Sequence, residues 1–429
     1  MKYSFSITRL PFALLLLLTL HSCKENPTAP TQPDPKRTLS LALADSSLHE
    51  IWLRLSLPDS LSGRRVKLFR NDTLRYTFDL SNRDTVVMDS GLALGTRYTY
   101  RALRTDNTRT LDSAAITTAT MPVTSHAFVW RVDTLGTSAT WLNDVCVIND
   151  TCIWVVGQIN GYQYNAARFD GHQWHFYSLQ FPLYNGDGTV AGYYSGECRA
   201  VFGLSPTSIF FSDGGGVMVW NGVQARYLFQ PLAVSKIWAS SESDVYVVGG
   251  NGFIAYYNGS VWRRVESGTT ATINDVWGSI DKATGDTLVL ASVSTTATQS
   301  DRKILQIKHG RTAHSYNWVS GVQITATYFR NHTRLFAAGA GVWTKNHLYD
   351  WQGISSNLVL PTFKRCIRGT AENNVFVVGD FASIARFNGE TWQVYVNIPN
   401  TQYRSTSGIG STIVCIGRVH VVIFKMMAP

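Results

Sequence analysis

The chain has 429 residues, 45% of them hydrophobic, 12% aromatic and 16% charged, with a net charge of +9. That apolar content excludes a disordered or solvating polymer, and the length leaves room for two or three domains. With 34 Gly against 13 Pro, and 13 Trp, the composition favours a turn-rich β protein over a helical bundle.

Lys2 and Arg9 precede an apolar run, Leu10 to Leu20, interrupted by Pro11 and Thr19. The run is short of the about 20 apolar residues that anchor a chain across a bilayer, and it suits the apolar region of a secretory signal. It ends in Leu20-His21-Ser22-Cys23. These residues resemble the lipobox of bacterial lipoproteins, in which a small residue precedes a cysteine that is lipidated and becomes the mature N-terminus. His21 departs from the family's usual residue before the small one. The resemblance implies a signal peptide over 1–22, a palmitate-bearing Cys23 and anchoring in the outer membrane, on its periplasmic or its extracellular face. Lys24-Glu25 looks like the charged signal that sends some Gram-negative lipoproteins to the outer face. The alternative is an ordinary signal peptide that happens to contain Cys23. Residues 23–37 are Pro-rich and polar, an extended and semi-rigid tether.

Over 38–121 apolar residues alternate: Leu39, Leu41, Leu43, then Ile51, Leu53, Leu55, Leu57, then Val66, Leu68, then Tyr76, Phe78. Short alternating runs with turns such as Arg70-Asn71-Asp72 between them predict an antiparallel sandwich. The stretch from Leu94 to Ala102, with Tyr98 and Tyr100, resembles the fibronectin type III hallmark in which a Tyr closes a corner before a central strand, and Trp52 fits that family's core Trp. The resemblance implies a spacer, or else an adhesive module.

From residue 126 to 429 the chain repeats itself. One unit reads Lys236-Ile237-Trp238, Val245-Tyr246-Val247-Val248-Gly249, Gly252-Phe253-Ile254, Asn258-Gly259 and Trp262. Others carry Val375-Phe376-Val377-Val378-Gly379 with Asn388-Gly389 and Trp392, or Ile153-Trp154-Val155-Val156-Gly157 with Asp170-Gly171 and Trp174. The turn recurs as Asp170-Gly171, Asn221-Gly222, Asn258-Gly259, His309-Gly310 and Asn388-Gly389, and the last, longest interval hides a degenerate copy at Phe336 to Gly339. A repeat of about 40 residues with four short strands predicts a β-propeller. Asn-Gly and Asp-Gly point to type I′ turns, with positive φ at both central residues. Six full blades are expected over 138–180, 196–230, 233–268, 271–318, 321–356 and 362–397. The tail, 404–427, supplies three strands, and Val129-Trp130-Arg131-Val132 matches the missing fourth. Pairing the two would close a ring of seven without a free edge. The repeat resembles secreted propellers related to photosystem assembly factors and to sialidase-like or kelch-like proteins. The run Ser212 to Trp220 does not fit the sialidase Asp box. The fold expected is therefore all-β, a small fibronectin III-like sandwich followed by a seven-bladed propeller.

Chemical motifs are sparse. The chain has no His-Glu-x-x-His helix, Gly-x-Ser-x-Gly elbow or phosphate loop. His172 and His175 read as solvated surface rather than a zinc site, and Asn185-Gly186-Asp187-Gly188 as a loop lacking the acids of a calcium site. No catalytic residue, metal or cofactor is expected. Cys146 and Cys152 lie across a short turn, so a cross-strand disulfide and a pair of buried thiols are both open; Cys198, Cys366 and Cys415 leave the count odd. Basic pairs at Arg64-Arg65, Arg263-Arg264 and Lys364-Arg365 are scattered, which argues against nucleic acid. Weak attraction to anionic surface polysaccharide is compatible with the charge.

In a propeller the link between second and third strands and the link to the next blade emerge on one face. The first such link carries Asn160, Tyr162 and Tyr164; the second, over 181–196, carries Tyr184, Asp187, Tyr193 and Tyr194. These residues are expected to gather at one rim, with the loop from Ser294 to Arg302 on the same face, and to bind a glycan or a protein partner. The reading is a monomeric, lipid-anchored, non-enzymatic scaffold. The alternative is a carbohydrate-active hydrolase or lyase, with Asp187 and Glu197 or Asp301 as converging carboxylates.

Overall fold

A computed structural model describes residues 39–427, apart from 58–64, 81–83, 107–108, 230–232, 283, 295–300, 319–321, 347–350 and 355–361. Cys23, the signal segment and the tether lie outside the described residues, as does most of the 294–302 loop. All regular structure among the described residues is β.

Two sheets form the N-terminal sandwich. Ser40–Ser46, Glu50–Ser56 and Asp84–Ser90 pair in that order, facing a sheet ordered Thr73–Asp79, Arg65–Arg70, Arg97–Asp106, Arg109–Ala119. The alternating residues converge as read from the sequence: Ile51, Leu53, Leu55, Val66, Leu68 and Tyr100 are buried in one core. Tyr98 Oη accepts the Ala93 amide at 3.0 Å, closing the corner ahead of its strand. Tyr100 Oη donates to the buried Asp89 at 2.8 Å, and Arg70 donates to the same carboxylate at 2.9 Å.

Seven four-stranded antiparallel sheets follow among the described residues, here numbered one to seven in chain order. Their first strands are Trp141–Asn149, Ala200–Ser205, Val234–Ser241, Ile273–Ile280, Ile324–Phe329, Lys364–Ala371 and Tyr403–Ile409. Each first strand contacts the next, and that of sheet seven contacts that of sheet one. Second strands such as Val245–Val248 are apolar on both faces because each sheet is covered on both sides by its neighbours. A separate apolar core fills each junction between sheets; that between sheets one and seven joins Val145, Ile153 and Val155 to Val414, Ile416 and Val421. The strand Phe128–Thr134 completes sheet seven, with Trp130 opposite Phe424 and Val132 opposite Val422.

The Asn-Gly and Asp-Gly turns differ from the type I′ expectation. Gly171, Gly222, Gly259 and Gly389 have φ of 102°, 95°, 92° and 109°, while the residue before each keeps negative φ. Asn258 Oδ1 instead accepts the amides of Ser260 and Val261, and Asp170, Asn221 and Asn388 do the same two and three residues on. The side chain takes over part of the turn, so only the glycine needs the left-handed region. Among these turns and their degenerate copy, both residues are left-handed at His309-Gly310, where no such carboxamide is present.

Charge ties the sheets together at the ring's axis. Asp144 of sheet one accepts from Lys236 of sheet three (2.5 Å), from Ser405 of sheet seven (2.7 Å) and from the Val201 amide of sheet two (3.2 Å). Asp275 of sheet four holds Arg368 of sheet six through both guanidinium nitrogens, at 2.5 and 2.9 Å, and accepts the Thr327 amide of sheet five. Two carboxylates thus bond to all seven sheets. Burial works against the charge on Lys236 and Arg368, but Asp144 and Asp275 more than offset it and raise both pKa values.

The sandwich is docked on sheet six. Leu48 inserts beside Tyr328, Phe336 and Phe387. Arg386, fully buried, donates to Asn374 Oδ1 (2.7 Å), the Ser125 carbonyl (2.7 Å) and Thr124 Oγ1 (2.5 Å), and stacks 4.8 Å over Phe128. It staples the connecting segment to the ring. Burial lowers its pKa to about 10, so it stays charged at neutrality. Asp275→Ala, which strands Arg368 without its counter-charge, is expected to cost about 3–5 kcal/mol in denaturant unfolding, whereas replacing both partners by Leu and Met recovers most of that loss.

Candidate face on the propeller ring

The first strands begin, and the second strands end, at one face of the ring. A cavity of about 160 Å3 lies among the first strands, and its lining includes Asp144, Lys236, Trp277, Arg368 and Ser405. Arg368 also stacks 4.5 Å over Trp277, which holds the guanidinium in the wall.

The expected tyrosine rim divides in two. Tyr162 stands at a turn tip, 56% exposed, with φ of 75°. Its turn leans toward the segment before sheet one: the Gly161 amide donates to the Ala139 carbonyl and the Asn160 amide to Thr140 Oγ1. Tyr164 packs on Phe176 at 5.3 Å and belongs to the core shared with sheet seven. The 181–194 stretch, expected as a loop, is a hairpin of Phe181–Tyr184 and Val190–Tyr194 that leans the other way. Tyr193 stacks 5.8 Å from Tyr227 of sheet two, and Tyr184 lies close enough to raise the Tyr227 pKa after burial and Tyr193 have done so. Tyr194 donates to Asp213, and burial together with that bond pushes its phenol up to about 12. The two links leave the same sheet but pack on opposite neighbours, which the repeat pattern does not encode.

The carboxylates considered for catalysis each have local partners. Asp187 accepts the Thr189 amide and hydroxyl at 2.9 and 2.6 Å, which holds its pKa down. Glu197 accepts from Asn143 at 2.8 Å and sits 3.8 Å from Arg199. Asp301 accepts from Thr269 and pairs with Lys303 at 2.9 Å; burial resists, but these two partners lower its pKa. His175 pairs with Asp170 at 2.6 Å on the surface. Among the described residues no group of three or more His, Cys, Asp or Glu is placed to hold a metal ion.

Of the two arrangements open to the cysteines, the disulfide is the one that does not occur. Cys146 lies opposite Trp154 and Cys152 opposite Asn149, and both are free, buried thiols, as are Cys198, Cys366 and Cys415. The strand register sets the two sulfurs at different rungs of the ladder. Cys146 Sγ accepts the Gly203 amide at 3.1 Å, tying sheet one to sheet two.

A second set of residues, not singled out from the sequence, occupies the same face over sheets six, seven and one. Trp141, 37% exposed, has Arg404 at 4.2 Å and Arg418 at 5.8 Å over its ring. Arg404 reaches Asn143 Oδ1 at 3.2 Å, and Arg418 donates to the Ser138 carbonyl. Burial and the nearby Arg365 lower the Arg404 pKa. Arg365 grips Asp380 at 2.6 and 3.2 Å, and Phe381 beside it is 77% exposed with φ of 56°. Backbone contacts make the strip continuous: the Ala382 amide donates to the Thr401 carbonyl, and the Leu142 amide to Arg418. A bulky residue in the left-handed region is costly, and of the exposed aromatics Tyr162 and Phe381 are both held that way. An apolar Phe381 at a turn tip, next to Asp380, was the available sequence signal.

A ring of four-stranded sheets with a closed axis and its links gathered on faces is a β-propeller. No family model and no curated protein matches the chain. Among solved structures, YCF48 bound to a D1 peptide is 14% identical over 71% of this chain and 97% of its own, with a TM-score of 0.54. YCF48 from Cyanidioschyzon merolae is 14% identical over 69% and 98%, with a TM-score of 0.50. A catalytically inactive virginiamycin B lyase from Staphylococcus aureus, with quinupristin, is 10% identical over 70% and 100%, with a TM-score of 0.51. At these identities the likeness establishes the propeller fold.

Burial pushes the Cys146 and Cys415 thiols up to about 12 and raises Cys198 as well. The five cysteines after Cys23 are therefore expected to resist iodoacetamide at pH 8 in the native protein and to react fully once it is unfolded, as read by mass spectrometry.

Proposed function

We propose that this protein is a lipid-anchored, non-enzymatic binding scaffold of the outer membrane, whose propeller face takes a protein partner or a glycan. The observation that carries the reading is the exposed strip of Trp141, Tyr162 and Phe381 with Arg404 and Arg418, set beside an axis filled by ion pairs. Aromatic rings with guanidinium groups are the side chains that dominate contact energy at protein interfaces, and rings also stack on sugars. The peptide held by the YCF48 neighbour supports a protein partner for this propeller too. Carboxylates that are each capped by local donors favour binding over the hydrolase or lyase alternative.

On this reading the ring has seven blades, closed by the early strand Phe128–Thr134, which is supported by the circuit of first-strand contacts. The sandwich is a fibronectin III-like module, supported by its three-plus-four strand order and by the Tyr98 corner. The lipobox-like Leu20-His21-Ser22-Cys23 and the polar tether behind it motivate the membrane anchor.

Two experiments test the proposal. Trp141→Ala/Tyr162→Ala/Phe381→Ala is expected to lower binding at least tenfold in pull-downs from envelope extract and on glycan arrays. Tyr193→Ala/Tyr194→Ala, whose rings serve internal contacts, should lower it less. Undiminished binding by the triple variant refutes the proposed face. Cys23→Ala should abolish palmitate incorporation and release the protein from the membrane fraction; retained label refutes the anchor.

A further inference from the structure

The sandwich meets the propeller around a cavity of about 210 Å3. Its charged or titratable lining groups are His49 and Glu50 from the sandwich, Arg334 from sheet five and Glu372 from sheet six. Glu372 occupies the turn between the strands Lys364–Ala371 and Asn374–Gly379 and is only 1% exposed. Its Oε2 receives a long bond from the Leu48 amide, 3.5 Å, and its Oε1 has no hydrogen-bond partner among the described residues. Leu48 is the side chain that plugs the sandwich into the ring, so the carboxyl sits directly under the docking contact. Arg334, the nearby cation, stacks over Phe336 and Phe387 at 5.6 and 5.2 Å. Asn331 and Tyr328 lie alongside the carboxyl.

Leaving an ionised carboxylate buried with one unfilled oxygen is expensive, whereas the neutral acid needs less compensation. We propose that docking of the sandwich on the propeller is proton-linked through Glu372: the joint is tight around the neutral carboxyl and loosens when that group ionises beside Glu50. Burial, reinforced by Glu50 and opposed by Arg334 and the Leu48 amide, pushes the Glu372 carboxyl up to about 7. An acid whose pKa is raised by docking stabilises the docked state most below its ordinary value of about 4.5, and that contribution drains away as pH climbs to about 7. The joint therefore holds in mildly acid surroundings and gives in mildly alkaline ones. His49, whose Nδ1 lies 2.9 Å from the Leu92 carbonyl, is the imidazole lining the same cavity, and it serves as the control.

The test is amide hydrogen exchange of the full chain between pH 5.5 and 8, corrected for intrinsic exchange and followed by mass spectrometry. Protection of segments 47–50 and 371–374 is expected to fall about tenfold across that range, while the sandwich core around 51–55 stays protected. Glu372→Gln should keep both segments protected at every pH, and His49→Gln should leave the wild-type pH dependence intact. A flat wild-type profile overturns the proposal, as does an unchanged slope in Glu372→Gln or a slope abolished by His49→Gln. If Glu372→Gln does not fold, Glu372→Ala carries the same test, since it too removes the titrating group.

Discussion

The ring depends on two buried carboxylates. Asp144 and Asp275 stand at equivalent points of sheets one and four, each following an Asn and preceding a Val, and their bonds reach every other first strand. Apolar cores between neighbouring sheets act only on adjacent pairs. The axial charges add a constraint across the circle, joining sheet one to three and sheet four to six. A buried ion pair contributes little net stability when compared with apolar replacements, but its geometry is demanding, so it discriminates against rings with a misplaced sheet. The Asn before each Asp repeats this role: Asn143 donates to the Cys198 carbonyl just ahead of sheet two, and Asn274 to the Ile324 carbonyl at the start of sheet five.

Matched charges line the axis. Propeller sites commonly sit where links converge over the channel, yet here that space holds Lys236 and Arg368 already matched to carboxylates. The face that remains combines rings held in costly backbone conformations with guanidinium groups stacked on tryptophan.

The joint between sandwich and ring is unlike the exposed linker that usually separates domains. Arg386 converts the segment from Thr124 to Phe128 into part of sheet six's surroundings, and Leu48 extends the core between sheets five and six. The module expected as a spacer thereby packs directly against the ring. Reorientation of one relative to the other would require exposing Leu48 and desolvating fresh partners for a buried arginine.

The amino-acid sequence by itself determined the β architecture, the four-strand repeat, the sandwich core and the partner of Val129 to Val132, because these follow from apolar periodicity and turn chemistry within some 40 residues. Tertiary structure alone decided which loops meet. Tyr164 and Tyr193 lie on two links from one sheet yet pack on opposite neighbours, Trp141 finds Arg404 and Arg418 from the far end of the chain, and Cys146 misses Cys152 by register. Such contacts depend on how each sheet twists against the next, and on which side chain fills the last space, which no local pattern records.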